Sequence, residues 1–73
     1  MATKNKTLAA IEAVLDETLT QYNALDKEIR NRCETDSYFF GSDDYINMTA
    51  ERIHLSKKHI KLTEARNTII EWL

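Results

Sequence analysis

The sequence predicts an all-α fold: an antiparallel two-helix hairpin that dimerises, or assembles further, into a four-helix-bundle-like particle. Three observations predict it. Two long segments carry apolar residues at helical spacing. Neither segment contains Gly or Pro, the residues that interrupt helices. The only glycine, Gly41, lies between them in a short stretch that also holds half of the six aromatic residues. With 73 residues, 42% hydrophobic and 30% charged, the chain is one small folded unit rather than a disordered segment.

Helix 1 is expected over about residues 7–33, after a polar, cationic lead-in through Lys4 and Lys6. Asn5 or Thr7 is the expected cap, since either side-chain oxygen accepts from exposed first-turn N–H groups. From there Leu8, Ile11, Leu15, Thr18, Tyr22, Leu25, Ile29 and Arg32 recur in alternating steps of three and four, a heptad seam with only Thr18 and Arg32 polar. Val14 and Leu19 widen the stripe, while Glu12, Asp16, Lys27 and Glu28 fill the opposite, solvated surface.

The aromatic loop is expected over about residues 34–42. Thr35, Asp36 and Ser37 favour turn and cap geometry, and Gly41 permits chain reversal. Tyr38, Phe39 and Phe40 have two readings: a plug folded over the open end of the hairpin, or an anchor for a protein partner. The plug is favoured, because soluble proteins seldom expose such patches.

Helix 2 is expected over about residues 43–73, opened by Ser42 with Asp43 and Asp44, a cap followed by negative charge at the positive end of the helix dipole. It carries two apolar series, each with a period of seven: Ile46, Ile53 and Ile60, and Met48, Leu55, Leu62 and Ile69. An offset of two residues turns one series about 200° from the other, onto the opposite face. A lone hairpin covers one face of each helix, so these seven residues together are the candidate oligomer interface. Size points the same way. Below about 70–80 residues one core seldom suffices without a disulfide, a metal or association. Cys33 is the only cysteine, so no internal disulfide forms, and association is left. The apolar end at Trp72 and Leu73 supports this.

The net charge of −2 hides an asymmetry: residues 8–34 carry six acids and three bases, residues 45–73 three acids and five bases. Opposite fields suit antiparallel pairing of the two helices. The basic group Arg52, Lys57, Lys58, Lys61 and Arg66 is also a candidate anion-binding surface. Ala65-Arg66-Asn67-Thr68-Ile69-Ile70 resembles part of the second helix of the helical hairpins with which phages sequester cyclic nucleotides. In size and helix count the chain is similar to Rop-type RNA-binding dimers. Both resemblances imply a nucleotide- or RNA-binding alternative. Phe39-Phe40-Gly41 is similar to the loop of the small secreted WXG hairpins, but the tryptophan is absent and both arms are short for that family.

No catalytic constellation or phosphate cradle is present in the sequence, and Cys33 has no adjacent base to activate it. Glu51-Arg52-Ile53-His54 has the Glu-x-x-His spacing of di-iron bundles, but Lys58 and Lys61 lie alongside, and a metal-binding bundle is a remote alternative. No run approaches the ~18 apolar residues of a membrane span. The expected protein is therefore a non-enzymatic, cytoplasmic binding or assembly module. It has no metal or cofactor, and its partners are itself and a second protein.

Overall fold

The computed structural model describes residues 2–72, with side chains from residue 6 onward. Two α-helices, α1 (Ala2–Thr35) and α2 (Asp43–Glu71), pack against each other as an all-α hairpin. The result is a rod of 54 × 14 × 14 Å. Its radius of gyration, 16.3 Å, compares with about 11 Å for a compact chain of this length.

α1 starts earlier than the sequence predicts. Ala2 to Lys6 continue the helix, because this segment has no breaker and contains Ala and Lys, both good helix formers. Thr7 therefore lies inside the helix rather than at its cap, and the side chain of Asn5 lies outside the described residues. The helix also runs two residues further, to Thr35, whose Oγ1 donates to the Asn31 carbonyl at 2.9 Å. α2 starts where expected. Ser42, with extended backbone, accepts from the Tyr45 amide at 3.2 Å, and Asp43 and Asp44 occupy the first turn. At the other end the Trp72 amide donates to the Thr68 and Ile69 carbonyls. Leu73, the last residue of the expected helix, lies outside the described residues.

The turn is built from successive short hydrogen bonds. Asp36 N–H donates to the Arg32 carbonyl, Phe39 N–H to that of Asp36, and Ser42 N–H to that of Phe39, at 2.9–3.1 Å. Asp36 Oδ1 also accepts from the Tyr38 amide at 3.0 Å, the local competition with helix geometry that ends α1. Gly41 has φ +82°, a left-handed conformation open to glycine without cost.

The seam follows the heptad of α1. Leu15, Thr18 and Ile29 are buried, with Leu8, Ile11, Tyr22, Leu25 and Arg32 half-buried. Thr18 satisfies its hydroxyl by donating to the Val14 carbonyl at 2.7 Å. α2 contributes buried Leu55 and half-buried Met48, Leu62 and Ile69, interleaved with Arg52, His59 and Arg66. The hydrophobic core among the described residues is therefore thin: Leu15, Ile29, Phe39 and Leu55 alone are buried.

Candidate functional site

Two clusters tie the helices together. At the turn, Phe39 is 2% exposed and closes the end of the seam. Its ring lies 4.2 Å beneath the Arg32 guanidinium and meets Tyr45 edge-on at 5.6 Å between centroids. Arg32 also reaches across to α2, with Nη2 3.5 Å from Asp44 and Nη1 3.5 Å from the Met48 sulfur. Arg32 thus holds its seam position by placing its charge among an aromatic face, a carboxylate and a thioether. Midway along the rod, Asp26 pairs with Arg52 of α2 at 2.8 Å and with Arg30, one turn on in α1, at 3.1 Å. This half-buried pair fixes the alignment of the helices.

The three loop aromatics separate. Phe39 is buried at the end of the seam, the position the plug reading gives it. Tyr38 and Phe40 are 89% and 72% exposed, with Phe40 leaning on Tyr45 at 4.8 Å.

The basic group separates too. Arg52 is engaged by Asp26, and Arg66 lies in the seam, with Nε buried and no hydrogen-bond partner there. Lys57, Lys58 and Lys61 instead join His54 around an open depression of about 390 Å³ on the outer surface of α2. Glu51 is exposed, and no three His, Cys, Asp or Glu side chains gather as a metal site among the described residues.

The two apolar series of α2 part in the same way. Met48, Leu55, Leu62 and Ile69 turn to α1, whereas Ile46, Ile53 and Ile60 are 55%, 55% and 53% exposed on an outer flank. The Ile flank meets α1 at Leu19, where Leu19, Tyr22, Ser56, His59 and Ile60 line a mainly apolar groove of about 120 Å³. Val14 lies on the opposite flank, near Lys6, Ile11 and Leu62.

Sequence reasoning missed Arg52, His59 and Arg66 as seam residues. The signal was present: Met48, Arg52, Leu55, His59, Leu62, Arg66 and Ile69 alternate in steps of four and three. Judging the seam by hydrophobicity alone hid it, since long cationic side chains bury their stems along apolar surface while keeping the charge solvated or paired.

These features define a two-helix, all-α hairpin that leaves the row Ile46, Ile53 and Ile60 uncovered on one flank of α2. No family model matches the chain, and searches of curated proteins and of solved structures return no match. Among the described residues, no helix is long and apolar enough to cross a membrane.

Proposed function

We propose that the chain is a non-enzymatic, cytoplasmic assembly module that self-associates and works through protein–protein contacts. The observation that carries this reading is the row of Ile46, Ile53 and Ile60, each more than half exposed on a helix whose other side already serves the hairpin. Accessible area supports it. The chain exposes 5633 Å², against about 4,650 Å² for a compact monomer of 8.5 kDa. The surplus of roughly 1,000 Å² exceeds the ~800 Å² that each partner contributes to a standard interface. Tyr38 and Phe40, exposed at the turn, are the natural contact for a second protein.

Light scattering at micromolar concentration tests the reading. The expected mass is a multiple of 8.5 kDa. A well-folded monomer over the whole concentration range would refute self-association.

One observation favours a second reading, an anion binder for nucleotides or RNA: His54, Lys57, Lys58 and Lys61 share a single depression. That reading requires nucleotides or RNA to raise the melting temperature, with the effect shrinking as salt rises. Absence of any shift retires it.

A further inference from the structure

We propose that the uncovered flank of α2 packs on the same flank of a second copy, antiparallel, about a two-fold axis that passes between His54 and Leu55. This rests on the self-association reading above and specifies its geometry.

The flank is itself a heptad seam. Ile46, Thr49, Ile53, Ser56, Ile60 and Thr63 follow in steps of three and four, isoleucines alternating with small hydroxyl residues. The isoleucines are exposed, and Thr49, Ser56 and Thr63 lie half-buried at their base. Thr49 and Thr63 already donate to carbonyls of their own helix, Tyr45 and His59, both at 2.8 Å. Their hydroxyls therefore need no partner across an interface.

Large and small residues in alternation distinguish the two possible directions. In a parallel pair, like positions meet, so layers of two isoleucines would alternate with layers of two hydroxyl residues that leave space unfilled. In an antiparallel pair, each isoleucine meets a small residue. With the axis at 54/55, Ile46 faces Thr63 of the second copy, Thr49 faces Ile60, and Ile53 faces Ser56. Every layer then holds one large and one small side chain.

The groove beside Ser56 supplies the matching hole. Ser56, His59 and Ile60, with Leu19 and Tyr22 of α1, line a half-open groove of about 120 Å³, near the ~150 Å³ of an apolar cavity that takes benzene. In this register Ile53 of the second copy stands over it. The occupant is thus a branched aliphatic side chain on a helix, which is what the flank itself presents.

Charge selects the same direction. On the N-terminal side of the proposed axis, residues 43–54 carry Asp43, Asp44 and Glu51 against Arg52, a net of −2. On the other side, residues 55–71 carry Lys57, Lys58, Lys61 and Arg66 against Glu64 and Glu71, a net of +2. Antiparallel pairing lays each acidic half along a basic half, whereas parallel pairing would set like on like. The helix dipoles also oppose favourably.

Cysteine cross-linking reads both direction and register. On a Cys33→Ser background, Ile46→Cys and Thr63→Cys are prepared as separate proteins, checked for helicity by circular dichroism, mixed through unfolding and refolding, and oxidised. A disulfide needs Cα atoms within about 7 Å. In the proposed register the two copies of position 46 stand about 25 Å apart along the axis. The expected result is a cross-linked dimer from the mixture and none from either protein alone. Self-cross-linking of the Ile46→Cys protein would overturn the antiparallel arrangement. A dimer in light scattering that cross-links in no combination would overturn this interface while leaving self-association intact. A monomer in light scattering would remove both.

Discussion

Replacing Phe39 with alanine tests the claim that one loop aromatic closes the core while its neighbours do not. Phe39 is among the most deeply buried side chains described, and one of four apolar residues buried among the described ones. Deleting a buried phenylalanine ring costs about 3–5 kcal/mol. The upper part of that range applies because the ring also supports the Arg32 guanidinium and the edge of Tyr45. A chain of this length has on the order of 4–11 kcal/mol of total stability. At about 4–8 °C per kcal/mol, the melting temperature should fall by roughly 15–40 °C. Phe39→Leu keeps most of the volume but gives up both ring contacts, and should lose about 1–3 kcal/mol, less than alanine. Tyr38→Ala removes an exposed ring and should change stability by no more than about 0.5 kcal/mol. The assay is thermal and urea unfolding by circular dichroism, with all variants at one protein concentration, since association raises apparent stability by mass action. A Phe39→Ala protein melting within about 5 °C of the parent, or a Tyr38→Ala protein falling as far as Phe39→Ala, would refute the division of roles.

Asp26→Asn should destabilise by about 1–2 kcal/mol, between the value of an exposed ion pair and that of a charged hydrogen bond, because it strips the charge facing both Arg52 and Arg30. Urea midpoints should show the difference narrowing in high salt. Gly41→Ala meets no steric obstacle within 4 Å, so its cost is that of a left-handed alanine alone. About 1 kcal/mol is expected after the gain from a stiffer unfolded chain, and Gly41→Asn should lose less, since asparagine tolerates that conformation. Unfolding at matched concentration measures both.

The hairpin was legible because its determinants are local. The α1 heptad from Leu8 to Arg32, the Ser42 cap and the lone Gly41 each act within a few residues, and the structure shows the helices and the turn they specify. The fate of individual side chains was less legible, because it depends on rotation of one helix against the other. Phe39, rather than Tyr38 or Phe40, enters the core because the turn bonds through Asp36 and Phe39 aim that residue inward. Arg52 leaves the basic group because Asp26 lies opposite it, a pairing separated by 26 positions in the chain. No local pattern encodes such a partner.

The two helices use their apolar residues in opposite ways, and this bears on why α2 has two seams. α1 puts Leu15, Ile29 and their neighbours into the hairpin and leaves its far side polar. α2 places Arg52, His59 and Arg66 in the hairpin seam and keeps Ile46, Ile53 and Ile60 outside it. For an isolated hairpin this arrangement is poor: exchanging the cations and the isoleucines would deepen the core and clear the surface. Polar residues in a seam reduce stability but fix register, as the Asp26–Arg52 pair does. Isoleucines outside it return that stability only when another helix covers them. The distribution fits a helix at the centre of an assembly, where α1 supplies alignment on one side and a second α2 supplies burial on the other. In the proposed assembly, folding and association are coupled. Ile53→Glu, a change at a side chain more than half exposed in the hairpin, should lower the melting temperature as well as the mass in solution.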